Sequence, residues 1–183
     1  MKNANQFREM YSELSINIDK LGCIMLDIDN SIPNLISKQD LHFTSNSDRF
    51  WINGFVAGHT PHITLLYGLL ESGKTTYRKY VDEVLKDWKC DSVEVDHVDF
   101  FDSPYSDEPY YCIIAHLKIT DELKQGNQLL QLLPHINTFP EYKAHTTIAY
   151  IRKDENLRNN IIDSYNDILS GAQLLVTGIN YGK

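Results

Sequence analysis

Apolar residues recur along this chain with two different periods, and the changes of period mark its elements. Phe7, Met10, Tyr11, Leu14 and Ile18 fall at helical spacing, which predicts an amphipathic helix over residues 3–20. LGCIMLDID at 21–29 reads as a strand. Residues 30–48 carry Pro33, several Ser and Asn and little periodicity, and read as a long irregular loop of the kind that often serves function. RFWINGFVAG follows as a strand, and HITLLY as a buried one. TTYRKYVDEVLKDW reads as a helix, with Tyr77, Tyr80, Val81, Val84, Leu85 and Trp88 on one face. SVEVDHVDFF alternates as a half-exposed strand does. Three further strands are expected in YYCIIAHLKI, AHTTIAYI and AQLLVTGINY. Two further helices are expected in DELKQGNQLLQLL and ENLRNNIIDSYNDIL, and SPYSDEP and PHINTFPEYK are loops. Strands and helices thus recur in two comparable blocks, which points to one mixed α+β domain over residues 1–183.

Composition narrows the classes. With 183 residues and 42% hydrophobic content, the chain can bury a core of its own. No run is long enough to cross a bilayer, and MKNANQFREMY lacks the apolar core of a signal peptide, so a cytoplasmic protein is expected. Cys23, Cys90 and Cys112 are odd in number and widely spaced, which argues against a disulfide framework or a zinc ribbon and suits core packing. A formal charge of -8 repels polyanions at long range and disfavours long RNA or DNA. A compact anion held by short-range contacts is compatible with it.

Two triplets carry the chemistry. His62-Ile63-Thr64 opens HITLLY, and His145-Thr146-Thr147 opens AHTTIAYI, so each block begins a buried strand with His-x-Thr. Residues i and i+2 of a strand share a face, so His62 points with Thr64 and His145 with Thr147. If the two strands lie side by side, four polar side chains converge on one surface suited to a small anion. Such a set matches phosphodiester cleavage without a metal or cofactor. One neutral imidazole removes a proton, a second, charged one supplies the leaving oxygen, and the threonine hydroxyls donate to phosphoryl oxygens.

PHITLLYG and AHTTIAYI resemble the paired motif of the 2H phosphoesterases, also called LigT-like or 2′,5′-RNA-ligase-like proteins: His, hydrophobic, Thr or Ser, hydrophobic, given twice. The resemblance implies a bilobal α+β fold with pseudo-two-fold symmetry and a metal-free site in the cleft between two antiparallel-sheet lobes. It makes His62 and His145 the acid and base, and Thr64 and Thr147 the phosphate donors. Members of that family process 2′,3′-cyclic phosphates, 2′,5′-linked oligoadenylates, cyclic ADP-ribose phosphates, RNA ends or cyclic oligonucleotide signals, and the acidic balance of this chain favours a small nucleotide over long RNA. Some phage-encoded members destroy the cyclic messengers of bacterial defence. Thr146 departs from the pattern, where the family usually has an apolar residue, but it is expected to face away from the site.

Three other readings stand beside this one. Gly68-Leu-Leu-Glu-Ser-Gly73-Lys74-Thr75 fits G-x-x-x-x-G-K-[ST], the phosphate-binding loop of nucleotide hydrolases. Its bulky Leu69 and Leu70 and the carboxylate of Glu71 suit a triphosphate poorly, and a plain strand-to-helix turn accounts for both glycines. His59, His62 and His145 could ligate a metal, but Pro61 breaks a helical face and no neighbouring carboxylate completes a shell, so no metal site is expected. A cleft that binds a nucleotide without cutting it, as a sponge or sensor, is the third. For substrate contacts, Tyr142 and Lys143 before the second motif and His59 before the first are candidates, against the alternative that Tyr142 covers the core edge and Lys143 is solvated. His42, His97, His116 and His135 have no partners in sequence, and His116 is expected to be structural.

Overall fold

The computed structural model describes residues 21–42, 61–70, 77–107, 109–137, 139 and 141–182. The helix expected at 3–20 and the strand expected at 49–58 lie outside the described residues. Six strands form within them: β1 (Gly22–Ile28), β2 (His62–Leu69), β3 (Ser92–Asp102), β4 (Tyr110–Leu117), β5 (His145–Arg152) and β6 (Gln173–Gly182). Three helices accompany them: α1 (Tyr77–Leu85), α2 (Asp121–Leu130) and α3 (Glu155–Leu169). The class is α+β, as the recurrence of periods suggested. Every strand pairing is antiparallel, and the strands close into a ring in the order β1-β2-β5-β4-β3-β6.

The helices begin where side-chain chemistry dictates. Thr120 stands in extended conformation before α2 and accepts a hydrogen bond from the Leu123 amide, and Asp154 does the same before α3 for the amide of Leu157. Each cap satisfies an amide that the first helical turn leaves without a partner, worth about 1 kcal/mol. Both helices bury one stripe: Leu123, Gly126, Asn127 and Leu130 on α2, and Ile161, Tyr165 and Leu169 on α3. Gly126 is needed for close approach, since a Cβ there would sit 2.6 Å from the Trp88 ring.

These stripes cover one face of the sheet. Ile24, Leu26 and Ile28 of β1, Ile63 and Leu65 of β2, and Ile148 and Ile151 of β5 join them in the main core. The opposite face of β4 and β5 holds a smaller cluster of Tyr110, Cys112 and Ile114 with Tyr150 against it. β4 is therefore apolar on both sides from Tyr110 to Ala115, which explains the run of hydrophobic letters there.

The irregular segment after β1 is not a loose excursion. Ile32, Ile36 and Leu41 are buried, and Leu41 bridges to Ile151. The Tyr165 hydroxyl donates to the Pro33 carbonyl at 3.0 Å and accepts from the Leu35 amide at 3.2 Å. As far as residue 42 the expected loop is irregular in backbone but pinned to α3 and β5.

Candidate active site

The contact between β2 and β5 is short, and it decides the site. Ile63 is paired with Thr146 in an antiparallel register. That register sets His62 opposite Thr147 and Thr64 opposite His145. Ile63 and Thr146 are fully buried on the helix-covered side, whereas His62, Thr64, His145 and Thr147 are all half-buried on the other. The four predicted residues therefore form a square on one face, with opposite Cβ atoms about 5 Å apart and diagonal ones about 7–8 Å apart. Those spacings leave room for one phosphate between the two imidazoles.

Backbone geometry orients His145. Its Nδ1 lies 2.9 Å from the carbonyl oxygen of Lys143. A carbonyl can only accept, so Nδ1 carries the proton and Nε2 is left to exchange protons with a ligand. Phe101 meets the same ring edge-on, with centroids 5.2 Å apart. Thr147 Oγ1 contacts the buried Cys112 sulfur at 3.9 Å, and burial pushes that thiol up to about 11, so it stays neutral at physiological pH.

Beside β2, Asp27 of β1 is the residue directly opposite His62 and shares its face. Its carboxylate is itself held by Asn180 of β6 at 3.0 Å. At the far side, His145 is opposite His116 of β4, which is opposite His97 of β3. The His116 and His145 rings have centroids 6.4 Å apart, and the His97 and His116 rings 4.7 Å apart. Desolvation, and then the neighbouring His97 and His145, hold His116 below the ordinary histidine range despite the raising influence of Asp99 and Asp96. His116, expected to be merely structural, therefore stands in a row of imidazoles that ends at His145.

Among the remaining candidates, Tyr142 packs against the main core and its hydroxyl is shielded from solvent, with its pKa pushed up chiefly by burial. This is the core-covering alternative, and it corrects the stacking role. Lys143 is exposed and paired with Glu141 at 3.2 Å; its carbonyl, not its ammonium, meets His145. His59 lies outside the described residues, and with it the metal set that included it. Two aromatics not singled out from the sequence border the site instead. Phe101 is 43% exposed beside His145, and Tyr67 of β2 lies opposite Cys23 on the face that carries Asp27. The alternation in SVEVDHVDFF was the available signal for Phe101, since it puts residues 97, 99 and 101 on one face. Tyr67 was hidden by a β-bulge, which moves it onto the site face although it is an odd number of residues from His62.

Gly68 belongs to β2, which is antiparallel to both neighbours, β1 and β5. A phosphate-binding loop of the nucleotide-hydrolase kind follows a strand of a parallel βαβ unit, and no parallel pairing occurs among the described residues. Residues 71–76 lie outside them.

Thr146 carries a testable cost. It is 0% exposed, and its Oγ1 finds no hydrogen-bond partner among the described residues. Burying an unpaired hydroxyl costs about 1–3 kcal/mol. Thr146→Val keeps the branched shape and removes the hydroxyl, so it is expected to raise stability by about 1 kcal/mol or more, read as a higher urea midpoint at constant slope. Activity at saturating substrate should be unchanged, because this side chain faces away from the square.

No helix among the described residues is long and apolar enough to cross a membrane. No protein-family model and no curated protein matches the chain. Solved structures similar over most of their length include two of one protein. One is a structure of Usb1 from Kluyveromyces marxianus, at 10% identity and a TM-score of 0.44, covering 88% of this chain and 96% of that one. The other is a structure of the same protein with uridine monophosphate, at 12% identity and a TM-score of 0.46, covering 90% of this chain and 99% of that one.

Proposed function

We propose that the protein is a 2H-type phosphodiesterase that hydrolyses a small nucleotide by two-histidine acid-base catalysis. The observation that carries the reading is the register of β2 and β5, which gathers His62, Thr64, His145 and Thr147 on one face. One imidazole, neutral, takes a proton from water as its oxygen attacks phosphorus. The other, charged, gives a proton to the departing oxygen, so a phosphodiester and water become a phosphomonoester and an alcohol. The two threonine hydroxyls donate to the non-bridging oxygens, where negative charge grows in the transition state. Asp27 is compatible with the same reading, because it stands opposite His62 on the site face and its carboxylate is fixed by Asn180.

A bilobal, pseudo-two-fold reading of the fold is supported by the strand order. Exchanging β1 with β4, β2 with β5 and β3 with β6 keeps every pair of neighbours and reverses the sense of the ring, as a two-fold axis across it does. Under that exchange the two His-x-Thr strands swap places, so each half supplies one imidazole and one hydroxyl. The substrate we infer is compact: a cyclic oligonucleotide, a 2′,3′-cyclic phosphate or a 2′,5′-linked oligonucleotide. The net charge of -8 favours a small ligand over a long nucleic acid. Phe101 and Tyr67 are the rings suited to stack on its bases. Destruction of a cyclic messenger of bacterial defence is the role this substrate class suggests.

The test is a panel of cyclic di- and trinucleotides, 2′,3′-cyclic mononucleotides and 2′,5′-oligoadenylate, each incubated with and without EDTA. Cleavage that survives chelation is expected for at least one member. Tight binding without product would instead identify a sponge, and Mg²⁺-dependent ATP turnover abolished by Lys74→Ala would identify a nucleotide hydrolase. The rate should follow a bell-shaped pH profile with both limbs between roughly pH 5 and 8, since one imidazole must be neutral while the other is charged. A flat profile over that range excludes the acid-base pair.

A further inference from the structure

The row of imidazoles ends in a group of side chains that the proposed hydrolysis does not use. His97 and Asp99 are two residues apart on β3 and so share a face, and His116 lies opposite His97 on β4. One ligand atom from each of the three falls within 4.8 Å of the others. We propose that His97, Asp99 and His116 form a binding site for a transition-metal ion of the Zn²⁺ class, with water or an anionic oxygen completing its shell.

Three observations bear on this. Two imidazoles with one carboxylate are a donor set that suits Zn²⁺ and its first-row neighbours and does not suit Mg²⁺ or Ca²⁺, which prefer all-oxygen shells. The Nδ1 of His97 donates to the Asp96 carboxylate at 2.7 Å. This fixes the tautomer, leaves the Nε2 lone pair for a metal, and reproduces the carboxylate-histidine-metal relay that commonly supports such ligands. Asp99 is also fixed: its Oδ1 accepts from the Phe100 amide at 2.8 Å, which leaves Oδ2 available. Bonds of about 2.0–2.2 Å around a tetrahedral ion require donors closer together than 4.8 Å. Small rotations of three partly exposed side chains supply that closure.

The inference goes beyond the phosphodiesterase reading and does not depend on it, because the quartet of His62, Thr64, His145 and Thr147 contributes no ligand. The experiment uses the full chain, stripped with EDTA, dialysed, and titrated with Zn²⁺ by calorimetry, with Co²⁺ absorption as a report of coordination geometry. One ion per chain is expected, with tetrahedral-type Co²⁺ bands displaced by Zn²⁺. His97→Ala and Asp99→Asn should each weaken binding at least tenfold. Asp96→Asn, which alters only the supporting carboxylate, should weaken it by roughly 10- to 100-fold. Asp99→Asn retains the oxygen that accepts from Phe100, and circular dichroism of each variant separates lost ligation from lost structure. No binding by the parent, or undiminished binding by folded His97→Ala and Asp99→Asn, overturns the site. Zn²⁺ binding with no nucleotide cleavage would leave the site standing and count against the proposed reaction; cleavage without Zn²⁺ binding would do the reverse.

Discussion

Replacing His145 by alanine is expected to lower turnover of the cleaved nucleotide by roughly 10²–10⁴-fold, the range for loss of one general acid or base. His62→Ala should do the same. Neither change should unfold the protein, since both side chains are only half-buried and sit on the face away from the main core. The effect should fall on kcat with little change in KM, because proton transfer operates in the transition state and contributes little to ground-state binding. Thr64→Ala and Thr147→Ala remove one donor each to the phosphoryl oxygens, and a loss of about 10²–10³ in kcat is expected for either. Combining His62→Ala with His145→Ala should cost less than the product of the single losses, because the two act on one proton inventory. Single-turnover kinetics on the four single variants and the double variant, with Thr146→Val as the control on the opposite face, measure all of this. Near-parental kcat in His145→Ala would show that the row of imidazoles has another purpose.

The strands that carry these residues were readable one at a time, whereas their arrangement was not. The alternation of His62-Ile63-Thr64-Leu65 and of His145-Thr146-Thr147-Ile148 fixes which side chains share a face, because a period of two is a local property of the backbone. Caps at Thr120 and Asp154 are equally local, and α2 and α3 begin at Asp121 and Glu155, where the sequence placed them. What pairs with what is non-local. Nothing within β5 announces that His145 stands opposite His116, or that Asp27, some thirty-five residues before His62, faces it across β1. His116 looked structural because β4 is apolar on both faces, and periodicity cannot tell a doubly buried strand from one whose final turn reaches a site. Tyr142 misled for a different reason. Proximity in sequence to His145 suggested proximity to the ligand, but alternation along the segment that leads into β5 sends that ring to the core.

The glycine that first suggests a nucleotide hydrolase also yields the sharpest stability test. Gly68 has φ of +103°, a conformation that side chains with a Cβ rarely adopt. A Cβ built there would lie 2.3 Å from the carbonyl oxygen of Ile136, a backbone atom that cannot swing aside. The close approach exists because Gly68 accepts from the Ile136 amide at 2.9 Å, while Leu70 donates to Pro134 at 2.9 Å and Leu69 bridges to His135. Gly68→Ala must therefore adopt a strained φ, at about 1–3 kcal/mol, and push the 134–136 segment away, losing hydrogen bonds worth about 1 kcal/mol each. A destabilisation of roughly 3 kcal/mol or more is expected, a large share of the 5–15 kcal/mol typical of a domain. That segment leads into β5, so residual activity should also fall at temperatures where the parent is still folded. Under the phosphate-loop reading, ATP would stabilise the parent, and both Gly68→Ala and Lys74→Ala would lose that response. Thermal melts of both variants, with and without ATP, separate the two. A lowered melting temperature in Gly68→Ala alone, with no response of any protein to ATP, assigns this glycine to the packing of the 134–136 segment on β2.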